Sequence, residues 1–262
     1  VSLIEQFLTE RQANGASINT VKAYGADLAR LRDFLRIPDT FEGWRTLTPP
    51  LLHRWRDQMT ESSSTIARRT AVARTFTVWL TGRGVIASAV DSKRLRSPKI
   101  VRDPAPPLSM GDIERLFTAV GQRGGFLAMR DEAIVALMLA TGISASEACL
   151  LNVEDVVGEN RLRVLGLRRR SRTVPLPAWA FRYVDSYLRI ARPPIVRGKA
   201  TPALFLNQHG GRLTRGGLWA NLSACGVMPS SLRSTFLAGK MASGYHAFEI
   251  MELAGLRSTS SL

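Results

Sequence analysis

Cysteine is nearly absent from this chain of 262 residues: Cys149 and Cys225 are the only two. Two cysteines without metal-ligand spacing exclude a disulfide framework and a thiolate metal site. Histidine is equally sparse. His53, His209 and His246 share no catalytic or metal spacing, and each reads as a surface or turn residue. Tyrosine occurs four times, at Tyr24, Tyr183, Tyr187 and Tyr245. No apolar run approaches the roughly 18 residues of a membrane span. The opening stretch VSLIEQFLTERQANG carries acidic residues and lacks the basic-then-apolar layout of a signal peptide. These absences point to a soluble, cytoplasmic protein that needs no metal, cofactor or membrane.

What is abundant is positive charge. Lysine and arginine number 36 against 21 aspartates and glutamates, for a formal net charge of +15. The excess is spread along the chain and not confined to a tail. Most of it is arginine, the side chain suited to bidentate phosphate contact. A distributed basic excess attracts polyanions by long-range field and counterion release. Hydrophobic residues make up 45% of the chain, enough for a sizeable core and too many for bulk disorder.

Periodicity divides the chain into three parts. Residues 1–90 read as a compact domain of four short helices. Val21, Tyr24, Leu28, Leu31 and Leu35 recur at steps of three and four, with Ser17 or Asn19 as the cap. Pro49 and Pro50 open a third helix. A fourth runs over 64–80, with Ile66, Ala73, Phe76 and Leu80 on one face and Arg68, Arg69 and Arg74 off it. Residues 91–107 have no apolar period, several prolines and five basic residues, including Lys99, and read as an extended basic linker. Residues 108–262 begin with a capping box, Ser109 with Asp112. A helix over 130–141 ends at Gly142. Arg161–Leu165 and Arg172–Leu176 read as a hairpin joined by a basic turn, and helices follow at about 178–190, 215–224, 231–243 and 246–254.

Several segments carry a resemblance. NTVKAYGADLARLRDFL and TIARRTAVARTFTVWLTGRGVI are followed in order by ATGISASEACLLNVEDV, LGLRRRSRTVPLP, ALFLNQHGGRLTRGGL and PSSLRSTFLAGKMASGYHAFEIMELAGL. The chain resembles the tyrosine recombinase, or phage integrase, family, and its Xer-type members in particular. The resemblance implies a mainly α fold with a small antiparallel β-sheet: a helical, SAM-like core-binding domain, then a catalytic-type domain. It also implies double-stranded DNA as partner. In this family a tyrosine hydroxyl attacks a DNA phosphodiester without a metal. Arginines, histidines and a lysine stabilise the transition state and protonate the leaving oxygen.

The positions matching that machinery are depleted. The family's first arginine falls on Ser144, after Thr141-Gly142-Ile143. Its hairpin lysine falls on Arg170 if the turn is ungapped. Its H-x-x-R box reads Ser230-Ser231-Leu232-Arg233, so the histidine is Ser230 and the arginine is kept. The next histidine or tryptophan falls on Leu256. The nucleophilic tyrosine would follow about nine residues later, past Leu262. Arg233 is the one identical position and Arg170 a basic replacement. Losing one preorganised donor costs about 3 kcal/mol of transition-state stabilisation, and guanidinium is a poor proton donor.

The expectation is therefore a DNA-binding recombinase homologue with a degenerate site. It would act as a structural or regulatory subunit, by self-association or beside an active tyrosine recombinase. The alternative is an active recombinase whose nucleophile lies beyond this sequence or comes from a partner. A third reading is a relic that keeps only a basic fold. Candidate DNA contacts are Arg68, Arg69, Arg74, Lys99, Arg168, Arg169, Arg172 and Arg215. Two residues also have a plain structural reading. Ser144 with Glu147 would form a capping box for a helix over 145–151, and Arg233 would be buried beside a carboxylate.

Overall fold

A computed structural model describes residues 2–88, 95, 105–166, 171–198 and 200–256. No described helix is long and apolar enough to cross a membrane. The chain divides into two compact units, Val1–Arg102 and Asp103–Leu262.

The first unit is helical: α1 Leu3–Ala13, α2 Ile18–Leu35, α3 Phe41–Arg45, α4 Pro49–Asp57 and α5 Ser63–Gly82. Its described residues hold five helices where periodicity predicted four, because α3 is too short to show a period. Trp44 of α3 is fully buried and packs edge-on to Phe76 of α5 at 4.9 Å, and Phe76 meets Phe7 of α1 at 5.2 Å. Ser17 proves to be the cap of α2, with its hydroxyl oxygen accepting from the Thr20 amide at 3.1 Å. The start of α1 is held from outside its own turn. Asp39 accepts from the amides of Leu3 and Ile4, both at 3.2 Å, from the Ser2 hydroxyl, and from Trp44 Nε1 at 2.6 Å.

The second unit is built around α7, Gly125–Thr141, whose residues Ala133 to Met138 are all buried. A helix buried on every side has little amphipathic signature, and its predicted span started five residues late. Before it lies α6, Met110–Gln122, opened by the Ser109–Asp112 capping box. After it come α8 Ala145–Leu150 and a three-stranded antiparallel sheet in the order β1-β2-β3, with β1 Val156–Val157, β2 Arg161–Leu165 and β3 Ser171–Pro175. Leu162 and Val164 of β2 point into the core while Arg161, Arg163 and Leu165 face outward, the period of two that the sequence shows. The β2–β3 pairing sets Leu162 opposite Val174 and Val164 opposite Arg172.

The predicted helix over 178–190 is α9, Ala178–Ser186, followed by a π turn at Tyr187–Ala191 and then α10, Arg192–Val196. The chain continues through α11 Arg215–Ser223, α12 Pro229–Ala242 and α13 Ala247–Ala254. Tyr187 is fully buried in this layer. Its hydroxyl donates to the Leu204 carbonyl at 3.1 Å, and burial pushes its pKa up to about 12.

Candidate functional site

In the second unit, arginines from β3 and α12 converge on one carboxylate at the head of α8. α7 stops at Gly142, whose φ of +65° suits glycine and where any Cβ would overlap the Phe236 ring. The chain then turns into α8. Ser144 caps that helix: its hydroxyl oxygen accepts from the Glu147 amide at 3.3 Å, while its own amide donates to Glu147 Oε2 at 2.8 Å. Glu147 is thereby fixed at the head of α8, buried. Arg172 of β3 reaches its Oε1 at 2.5 Å, and Arg233 of α12 lies 3.5 Å from its Oε2. Burial works against the Glu147 charge. The Arg172 guanidinium and the Ser144 amide and hydroxyl outweigh it, and hold the carboxyl below its ordinary range.

Both arginines also hold the end of α13. Arg172 Nε donates to the Leu253 carbonyl at 2.9 Å. Arg233 Nη2 donates to the Ala254 carbonyl at 2.6 Å, and its Nη1 donates to the Gly142 carbonyl at 2.8 Å. The Leu253 and Ala254 carbonyls are among the last of α13, which have no partner within the helix. Gly255 closes that helix at φ +65°, and a Cβ there would meet the Arg172 guanidinium at 2.5 Å. Burial depresses the Arg233 pKa against the support of Glu147.

Ser230, Leu256 and Arg170, the other positions that the resemblance singled out, fare differently. Ser230 is exposed in the first turn of α12. Leu256 packs against the small apolar cluster of Phe236, Leu237, Ile250 and Ala254. Arg170 lies outside the described residues, as do Lys99, Arg168 and Arg169. Next to the cluster, Thr141, Val174, Phe236, Lys240, Tyr245 and Leu253 line a mainly apolar cavity of about 460 Å³. Among the described residues, no group of three or more His, Cys, Asp and Glu side chains is placed to hold a metal.

The candidate DNA contacts divide by exposure. Arg215 is exposed at the first position of α11, and the Arg68 side chain on α5 is 43% exposed. Arg74 is half-buried. Arg69, expected off the apolar stripe, is instead buried at 8%, bonded to Glu61 and 3.5 Å from Asp27. Arg172, a candidate DNA contact, lies on β3 and is half-buried in the Glu147 cluster. Other arginines are likewise internal. Arg212 donates to the carbonyls of Cys149 and Leu151 at 2.9 Å, Arg192 to that of Ala203 at 2.8 Å, and Arg130 to that of Leu206 at 2.7 Å. Part of the basic excess is therefore structural. Sequence reasoning treated Glu147 only as a cap partner and missed it as the hub. No local signal marks it as one, since Arg172 and Arg233 lie 25 and 86 residues further along the chain.

Comparison with known proteins matches both units. Residues 4–84 fit the phage integrase N-terminal SAM-like domain, and residues 108–261 fit the phage integrase family. Tyrosine recombinase XerC of Roseiflexus castenholzii is 32% identical over 98% of this chain and 86% of its own length. Tyrosine recombinase XerD of Oceanobacillus iheyensis is 30% identical over 94% and 86%. Among solved structures, XerH site-specific recombinase bound to palindromic difH substrate superposes with a TM-score of 0.75 at 16% identity, covering 98% of this chain and 78% of that one. A lambda integrase(75-356) dimer bound to a COC' core site gives 0.73 at 14% identity, covering 99% and 95%. With both units matched in order and Xer relatives aligned along nearly the whole length, the chain belongs to the phage integrase family of tyrosine recombinases.

Proposed function

We propose that this protein binds duplex DNA without cleaving it, as a structural or regulatory subunit at a recombination site in the cytoplasm. It would act by self-association or beside an active recombinase. The observation that carries this reading is the use made of Arg172 and Arg233. A phosphoryl-transfer site needs preorganised cations free to meet a developing oxyanion. Here Arg233, the retained family arginine, donates to the Gly142 and Ala254 carbonyls, and Arg172 to Glu147 and the Leu253 carbonyl. Ser144, at the first arginine position, is engaged as a cap and brings no charge. Ser230 and Leu256 bring no imidazole. Removing several members of a cooperating set is not additive, and it leaves little of the rate.

DNA binding is supported by the net charge of +15 and by the fold neighbours, a lambda integrase dimer bound to a core site and XerH bound to difH substrate. The test is covalent trapping. Preferred sites are first selected from a random duplex pool, then presented as nicked suicide substrates to the full-length gene product. The expected result is a salt-sensitive complex without a phosphotyrosine adduct. An adduct overturns the non-cleaving reading, and no binding to any duplex overturns the DNA-binding one.

A further inference from the structure

The first unit holds a buried carboxylate beneath a half-exposed arginine. Asp27 of α2 is 1% exposed. Its Oδ2 accepts from Nη1 of Arg68 on α5, and its Oδ1 lies 3.5 Å from Nε of Arg69. Arg69 is itself buried, and it donates to the exposed Glu61. Arg68 does not turn inward: its side chain is 43% exposed, and among the described residues only Nη1 is bonded. The guanidinium is thus fixed at one corner while its Nε–Nη2 edge, the pair of parallel donors, stays open. Arg30, exposed on α2, adds its field to the same carboxylate. Three arginines around Asp27 and Glu61 leave the cluster net positive.

We infer that Asp27 is the positioning residue for Arg68, and that it presents the Nε–Nη2 edge of that arginine to a base edge of duplex DNA. This rests on the DNA-binding reading above and deepens it by naming a specificity device. A free arginine loses rotamer freedom when it docks, and it meets a phosphate as readily as a base. An arginine held by a buried carboxylate has already lost that freedom. Its two parallel donors then match paired acceptors such as O6 and N7 of guanine. The arginine gives specificity only while the carboxylate holds it.

The experiment uses the full chain and two fluorescent duplexes, one selected from a random pool and one scrambled. Asp27→Asn and Arg68→Lys both keep a cation at position 68. Each is expected to lose about 10-fold or more of the preference for the selected duplex. The slope of log affinity against log salt should change by less than one. The double variant should be no worse than either single one. A purely structural Asp27 would lower the melting temperature and weaken both duplexes alike; an unchanged preference ratio in Asp27→Asn overturns the inference. If Asp27→Asn does not fold, nitrogen NMR of the wild-type arginines decides. A held Arg68 shows slowed rotation about its Cζ–Nη bonds that persists on DNA, and fast averaging overturns the inference. Failure of the wild-type chain to bind either duplex sinks the DNA-binding reading itself and is separate from an unchanged ratio.

Discussion

Arg233 donates from Nη2 to the Ala254 carbonyl at 2.6 Å, tying the middle of α12 to the end of α13. Arg172 does the same for the preceding carbonyl, that of Leu253. Two guanidiniums on different elements thus fasten one helix end, and one buried carboxylate, Glu147, faces both of these half-buried side chains. A buried ion pair adds little net stability over an apolar substitute, but breaking it from one side strands a charge.

That asymmetry gives the first prediction. Glu147→Gln keeps the shape and removes the counter-charge from Arg172 and Arg233. We expect the second unit to lose about 3–5 kcal/mol, read as a lowered urea midpoint by circular dichroism. An unchanged midpoint would mean that the cluster contributes nothing to the fold.

The same residue predicts a pH dependence. The Glu147 carboxyl is held below its ordinary value of 4.5 in the folded chain, so in acid the unfolded chain binds more protons there. Its contribution to stability is complete above about pH 4.5 and is lost as pH falls through the folded value. Urea midpoints between pH 3 and 6 should fall toward acid more steeply in wild type than in Glu147→Gln. Parallel curves would refute the assignment.

Gly255→Ala tests the packing of the helix end. Alanine in a left-handed conformation costs about 1 kcal/mol. A Cβ at 2.5 Å from the Arg172 guanidinium adds displacement of that side chain from Leu253 and Glu147. We expect about 2 kcal/mol in total, and a loss below 0.5 kcal/mol would show that Arg172 moves aside freely.

These interactions mark the limit of what the sequence shows. The capping boxes at Ser109–Asp112 and Ser144–Glu147 were legible because both partners lie within one helical turn. The β2–β3 hairpin was legible because Leu162 and Val164 alternate with outward-facing residues. Arg69 was not: its partner Asp27 lies on another helix, and no local period marks a charge that will be buried. The Arg172 ion pair was hidden for the same reason, since Glu147 comes 25 residues earlier. Arginines that bind carbonyls, such as Arg212 and Arg192, cannot be told from surface arginines by composition. The net charge therefore pointed to a polyanion partner and overstated how many cations remain to meet it.

Asp39 offers a prediction in the first unit. It accepts from the Leu3 and Ile4 amides and from Trp44 Nε1. Asp39→Ala removes a cap and leaves the buried indole N–H unpaired, a combined loss of about 2–3 kcal/mol. Asp39→Asn should recover part of it, because an amide oxygen still accepts. Thermal unfolding of the three proteins checks the order, and equal melting temperatures would refute the capping role.

The basic residues between β2 and β3 supply the last prediction, which separates structural from DNA-directed arginines. Replacing Arg168, Arg169 and Arg170 together by alanine should weaken duplex binding and flatten its salt dependence. Each lost phosphate contact reduces the slope of log affinity against log salt by about 0.9. Loss of all three would reduce it by up to about 2.7. Arg69→Ala should behave in the opposite way. It leaves Asp27 and Glu61 without their shared cation, so it should lower the melting temperature while the folded protein keeps its salt slope. Titrating labelled duplex at four salt concentrations distinguishes the two. A triple variant with the wild-type slope would remove these three arginines from the DNA interface, and an Arg69→Ala slope lower by about one would place Arg69 in it.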